Sequence, residues 1–312
     1  MSSYLATVNK IIADELAGLP DFVLYGENID NGSYVSGLTR NLSVSGNGRI
    51  LNVGDCEATH CGVGFGLMMN GVSSVLFAKQ LDFMILGIDH FVNTYNFIRC
   101  SCEAAALGAF TIVTVVYDQG LQGPHSSFNA LGDICSMARV PGYTIVNIGD
   151  THHIASSQLA QPGFRFLVLR QRLCAQDILD LDILYAAEDA SVFQYADGED
   201  LTIVCFNFSL PEGLEIQRRA ADRGKSASLF AVNQVYPADW TPISRCVART
   251  GRVIFLDDSK SVSPLASAVA LETTRNSDVQ IAFLHRKEVN FSVSPDLFEV
   301  DHEAALAELG LA

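Results

Sequence analysis

The stretch that most constrains the fold is residues 110–117, Phe-Thr-Ile-Val-Thr-Val-Val-Tyr, which is rich in β-branched and aromatic residues. A strand with one face in water alternates apolar and polar residues. A run without clean alternation is buried on both faces, as in a parallel sheet covered by helices on each side. Parallel strands need crossover connections, usually helices, and the rest of the chain alternates accordingly. Leu5, Val8, Ile11, Ile12 and Leu16 recur at helical spacing, and residues 22–25 read as a short strand. Residues 72–77 read as a strand, and residues 83–98 as a helix carrying Ile85, Ile88, Phe91, Val92 and Tyr95. A helix over 129–137, a strand at 144–146, a helix opening at Asp150-Thr151 and a strand at 164–169 complete this half. Strands at 201–206, 227–232, 253–256 and 280–284, with helices between them, repeat the alternation. Asp257-Asp258 reads as a polar strand end.

A length of 312 residues suggests about two domains. The acidic, aperiodic stretch around Glu188, Asp189, Asp197, Glu199 and Asp200 reads as the joint. The expected organisation is a first domain over 1–183, a linker over 184–198 and a second domain over 199–312, each an α/β doubly wound fold.

Composition narrows the partners. The net charge is −15 with no cluster of Lys or Arg, so nucleic acid and anionic membrane are poor partners. The eight cysteines are scattered without a Cys-x-x-Cys pair. They read as small buried hydrophobes in a reducing compartment rather than zinc ligands. The start, Met1-Ser2-Ser3-Tyr4-Leu5, lacks a basic segment followed by an apolar one. The longest apolar run, about 107–117, is shorter than the ~20 residues of a membrane span. A cytoplasmic location is expected.

The chemistry concentrates in residues 52–71, Asn-Val-Gly-Asp-Cys-Glu followed by a helix carrying Gly62, Gly64 and Gly66. Glycine in a helix costs up to about 1 kcal/mol against alanine, a cost tolerated where another backbone or side chain must come close. The one charge in this apolar helix is Glu57. On local features it reads as an acid at a helix N-terminus beside Asp55.

The wider pattern resembles the transketolase group of thiamine-diphosphate enzymes, which includes transketolase and the beta subunits of 2-oxo-acid dehydrogenases. Asn52-Val53-Gly54 followed by Glu57 and a Gly-rich helix ending at Asn70-Gly71 matches the group's cofactor-activating helix. Asp82, Phe83, Asp89 and Asn93 coincide with the Asp-Phe…Asp…Asn pattern of the beta subunits. Gly123-Pro124-His125-Ser126 is similar to the group's histidine loop, and Arg139-Val140-Pro141 to the group's Arg-x-Pro turn before a strand. Arg249-Thr250-Gly251-Arg252-Val253-Ile254 with Asp257-Asp258 resembles the C-terminal domain of transketolase.

The resemblance implies a pyrimidine-binding domain followed by a transketolase C-terminal-like domain, with thiamine diphosphate and Mg²⁺ as cofactors. Glu57 would hydrogen-bond the cofactor aminopyrimidine and Phe83 would stack on it. Glu27, in the Gly26-Glu27-Asn28 loop, would lie near the cofactor. His125 would serve the substrate and its proton transfer, and Arg170 would approach the substrate. The group's Gly-Asp-Gly metal motif is missing: Gly54-Asp55, Gly132-Asp133 and Gly149-Asp150 are not followed by Gly. No metal ligand is therefore assigned to this chain. A separate diphosphate-binding subunit is expected to supply the Mg²⁺ ligands, in a two-plus-two heterotetramer, with the Gly62/Gly64/Gly66 helix a candidate for packing on its symmetry mate.

The implied reaction is cleavage of a C–C bond next to the carbonyl of a small 2-oxo acid or ketose, with transfer of the acyl or two-carbon unit. The alternative is a non-catalytic scaffold subunit of the same fold. Two departures stand out: Lys79-Gln80 where relatives more often carry apolar or aromatic residues, and His285-Arg286 after the final strand.

Overall fold

The computed structural model describes residues 3–117, 128–233, 238–275, 278–286 and 297–311. The chain divides into two compact units, one built mainly on Met1–Asn129 and Ile134–Asp180, the other on Leu181–Asn290 and Asp296–Ala312.

In the first unit the elements run α1 (Tyr4–Gly18), β1 (Val23–Gly26), β2 (Arg49–Asn52), α2 (Glu57–Met69), β3 (Ser74–Phe77), α3 (Tyr95–Ser101), β4 (Ala109–Val116), α4 (Leu131–Ala138), β5 (Gly142–Thr144), α5 (Ile148–Gln158) and β6 (Gly163–Arg170). The six strands form one sheet in the order β2-β1-β3-β4-β6-β5, parallel throughout. β4 is buried at every position, as its unbroken apolar run requires. One side of the sheet carries an aromatic cluster in which Phe65 of α2 meets Phe110 edge-on at 5.2 Å and Phe164 at 4.9 Å, and Phe91 stacks on Phe164 at 5.2 Å. Each fully buried ring contributes roughly 1.5–3 kcal/mol.

Gly64 shows why α2 tolerates glycine. A Cβ there would sit 2.2 Å from Phe110 Cζ, so the helix lies on the sheet only because that side chain is missing. Gly66 differs: it is exposed and a Cβ would meet nothing within 4 Å.

The expected helix over 83–98 is broken into three. A 3₁₀ stretch, Leu81–Gly87, leads into a π turn, His90–Thr94, and then α3. The cause is contact with α2, because a Cβ on Gly87 would fall 2.5 Å from Cys61 Sγ. The chain therefore winds to fit its neighbour rather than following one helical period.

The second unit contains β7 (Tyr185–Ala186), β8 (Val192–Ala196), β9 (Leu201–Phe206), α6 (Leu210–Asp222), β10 (Ala227–Val232), α7 (Thr241–Thr250), β11 (Arg252–Asp257), α8 (Leu265–Thr274), β12 (Gln280–His285) and α9 (His302–Glu308). Its sheet has the order β12-β11-β9-β10-β8-β7. The four strands β9 to β12 pair in parallel, while β8 pairs antiparallel with β10 and β7 with β8. The stretch 184–198, expected as a linker, thus holds two strands of this sheet. Val192 and Phe193 are completely buried, and the intervening acids hid the short apolar pattern. Both units are α/β, each with one six-stranded sheet and flanking helices. Among the described residues no helix is long and apolar enough to cross a membrane.

Candidate functional site

The site lies where three neighbouring strands of the first sheet end together. Gly26 closes β1 in register with Asn52 of β2 and Phe77 of β3. The residues that follow each strand therefore emerge side by side at the carboxyl edge, where α/β sheets bind ligands. Gly26 has φ +156, and a Cβ on it would strike the Phe77 carbonyl oxygen at 2.3 Å. Only glycine lets β1 end so close to β3. Two further bonds lock the strand ends: Val53 N–H donates to Gly26 O at 3.1 Å and Ile29 N–H to Asn52 Oδ1 at 2.9 Å.

These strand ends and the start of α2 line a pocket with Glu27, Asp55, Glu57, His60, Lys79 and Phe83 on its wall. Its volume is about 20 Å³, roughly room for one water. Glu57 opens α2 and is half-buried. Its carboxylate has no hydrogen-bond or ion-pair partner among the described residues. Glu27 is the opposite case: its Oε1 accepts from Asn28 Nδ2 at 2.7 Å and forms an ion pair with Lys79. Phe83 sits on the 3₁₀ stretch after β3, half-buried. His60, one turn beyond Glu57 on α2, is held by its own backbone: Tyr25 Oη donates to His60 O at 2.8 Å, and the two rings meet edge-on at 6.5 Å. Burial pushes the Tyr25 phenol far up. Burial first, and the Glu57 charge second, push the Cys61 thiol up to about 12. Both groups therefore stay neutral at physiological pH.

The structure thus brings together Glu27, Glu57 and Phe83 of the residues expected from sequence. Arg170 does not line this pocket; it is buried at the end of β6, where its backbone N–H donates to Tyr4 Oη at 3.4 Å. His125 lies outside the described residues. Sequence reasoning noted Lys79 only as a departure and did not consider His60. The signal for His60 was its three-residue spacing from Glu57, which places both on one helix face. The Asp82, Asp89 and Asn93 motif is structural here: Asp82 Oδ1 accepts from the Phe128 N–H at 3.0 Å, and Asn93 Nδ2 donates to Asp89 Oδ1 at 2.7 Å. Among the described residues no group of three or more His, Cys, Asp or Glu side chains could hold a metal ion.

No family model matches the chain. The mitochondrial pyruvate dehydrogenase E1 component subunit beta-1 of Oryza sativa subsp. japonica is 20% identical over 283 residues, covering 86% of this chain and 74% of that protein. The 2-oxoisovalerate dehydrogenase subunit beta of Bacillus subtilis (strain 168) is 22% identical over 282 residues, 86% of this chain and 83% of that one. Among solved structures, a split-gene transketolase, described as an inactive beta4 tetramer, superposes with a TM-score of 0.68 at 14% identity over 98% of this chain and 96% of that chain. The chain therefore resembles the beta subunits of 2-oxo-acid dehydrogenases in sequence and a transketolase in fold, the group to which the motifs around Glu57 and Phe83 point.

Proposed function

We propose that this chain is the pyrimidine-binding subunit of a heteromeric thiamine-diphosphate enzyme that cleaves a C–C bond next to a carbonyl. The observation that carries the reading is the Glu57 carboxylate, without a partner among the described residues, in a pocket shared with Phe83 at the carboxyl edge of a parallel sheet. An acceptor left open in a half-buried pocket fits a ring nitrogen that donates to it, and an aromatic ring beside it fits a flat heterocycle.

In this reading the bound cofactor serves as electron sink for the carbanion formed next to the carbonyl. The chain's own residues prepare it. Glu57 holds a proton at the pyrimidine ring nitrogen and fixes the ring's tautomer. Phe83 sets the plane of the ring. The Glu27–Lys79 pair neutralises one carboxylate of the pocket wall, and of the two left open Asp55 is exposed to solvent while Glu57 is half-buried. His125 is proposed to assist the substrate, and the pyrimidine-binding and C-terminal-like roles are assigned to the first and second units, which divide at Asp180 and Leu181. Mg²⁺ is assigned to ligands of a separate diphosphate-binding subunit. The lack of a Gly-Asp-Gly motif in the sequence supports this, and a pocket of about 20 Å³ does not by itself hold the cofactor. A two-plus-two heterotetramer is the proposed assembly. The substrate class is a small 2-oxo acid or ketose, and the relatives in sequence favour the 2-oxo acid.

The test is calorimetric titration of thiamine diphosphate with Mg²⁺ into the chain alone and into the chain copurified with a diphosphate-binding partner. Binding only in the complex is expected. Tight Mg²⁺-dependent binding by the chain alone would overturn the split site. The second reading, a scaffold subunit, is favoured by the Lys79 ammonium in the pocket wall. Glu57→Gln separates the two, because a scaffold would lose no turnover.

A further inference from the structure

The amino end of the first sheet, remote along the strands from the Glu57 pocket, holds a buried cation that the proposed function does not use. Arg165 lies near the start of β6 and is 3% exposed. One nitrogen, Nη2, donates to the carbonyl oxygens of Gln161 and Pro162, the latter at 3.1 Å, and so caps the turn between α5 and β6. The other two donors, Nε and Nη1, have no hydrogen-bond partner among the described residues. Thr111 of β4 stands opposite Arg165 in the β4–β6 register and is fully buried, and its hydroxyl also lacks a partner. Register partners on parallel strands project to the same face of the sheet, so the Thr111 hydroxyl and the Arg165 side chain leave neighbouring strands on one face.

Charge decides what belongs there. Burial pulls the Arg165 guanidinium down, but only to about 10, so it remains a cation at neutral pH. No carboxylate among the described residues forms an ion pair with it. The Tyr143 and Tyr95 side chains lie within electrostatic reach of it. Tyr143 Oη is engaged with Gln158 Oε1 at 3.0 Å. A buried charge without a counter-charge is costly. A water molecule could accept from two donors but would leave that charge uncompensated. With Arg165 and Thr111 both buried, a bulky ion has no entry.

The geometry points to an internal anion site in the first unit: a halide-sized monovalent anion held by Arg165 Nε and Nη1 and by Thr111 Oγ1 at the base of β4 and β6. The ion is structural, joining two central strands and the α5–β6 turn, and it binds the folded chain only. It stabilises by mass action.

The experiment is heat denaturation of the full-length chain at constant ionic strength, with sodium chloride replaced stepwise by sodium gluconate, whose anion is too large for the site. Chloride is expected to raise the midpoint with the logarithm of its concentration once above its dissociation constant, by about 5 °C at a hundredfold excess. Thr111→Val keeps the strand shape and removes one donor, so the dissociation constant rises about tenfold and the same midpoint shift needs about ten times the chloride. Arg165→Met abolishes the dependence. Should that variant fail to fold, Thr111→Val carries the test alone. Crystals grown in bromide are expected to show an anomalous peak within hydrogen-bond distance of Arg165. No chloride dependence in the natural chain, an unchanged dependence in Thr111→Val, or a water in place of the bromide peak overturns the proposal.

Discussion

The two sheets carry acids at their carboxyl edges and treat them in opposite ways. In the first unit Glu57 is half-buried, and no described residue bonds to its carboxylate. In the second, Asp257 ends β11 completely buried. Its Oδ1 accepts from Asn207 Nδ2 at 2.7 Å and from the Ser259 N–H at 3.0 Å, and its Oδ2 from the Ala266 N–H at 3.3 Å. Asp258 Oδ1 beside it accepts from the Phe208 N–H at 3.1 Å. Asp257 is the last residue of its strand, and Glu57 is the first residue of the helix that follows β2. Asp257 commits its acceptors to the loop after β9 and the start of α8, so it reads as a bracket, whereas Glu57 keeps its acceptors open. Fold supplies the place, and chemistry needs an unfilled group in it.

The largest expected effect tests the open acid. Glu57→Gln in the reconstituted complex should lower turnover by about 10² to 10⁴, the span of a positioned proton-transfer group. Its cost in stability should stay within about 0.5 kcal/mol. Asp257→Ala should do the reverse. It strands an amide and two backbone N–H groups in the core, at about 3 kcal/mol by urea denaturation, with turnover per folded molecule unchanged. A large stability loss for Glu57→Gln, or a cheap Asp257→Ala, would erase the distinction between site and bracket.

Two glycines of α2 sharpen the same contrast inside the first unit. Gly64→Ala must displace Phe110, and overpacking of this kind costs roughly 1–3 kcal/mol. Gly66→Ala meets nothing within 4 Å and should stabilise the isolated chain by about 0.5–1 kcal/mol. If Gly66→Ala instead prevents assembly while stabilising the chain, that exposed face of α2 is where a second protomer sits. Phe83→Ala should weaken cofactor binding by up to about tenfold, the worth of one aromatic contact, with little change in the Glu57-dependent step. Calorimetry on the complex reads it directly.

How much of this was legible in the sequence follows the range of the interactions. β4 was readable because burial on both faces leaves an unbroken β-branched run in one short window. The break between residues 81 and 101 was not, because the steric demand on Gly87 comes from Cys61, a different element. β7 and β8 were hidden because an acidic stretch separates and flanks a few apolar residues whose burial depends on β10. In the candidate site, Glu57 and Phe83 stand in local motifs that a sequence window can hold. The Glu27–Lys79 pair joins positions 52 apart, and no local window links them. Arg165 reads as an ordinary strand residue until the sheet encloses it.

The smallest expected effect asks whether pairing without burial gives an acid the worth of Asp257. Asp197 of the second unit is bonded by Arg249 and by Ser228 Oγ at 3.1 Å, yet its side chain is 52% exposed. The hydrogen bond from Arg249, foremost, holds its carboxyl below the ordinary 3.8. The stabilisation is therefore present above about pH 4 and is lost as pH falls through the lower folded-state value. Solvent screening limits it to a few tenths of a kcal/mol, ~0.2–0.5. Asp197→Asn should lower the urea midpoint slightly at pH 7, and the gap to the natural chain should close towards pH 2 and in high salt. A gap above about 1 kcal/mol at pH 7 would mean that pairing alone suffices. Burial would then not be what separates the acids of the second unit from Glu57, and the open acceptor of the first unit would have to be explained by its missing partners alone.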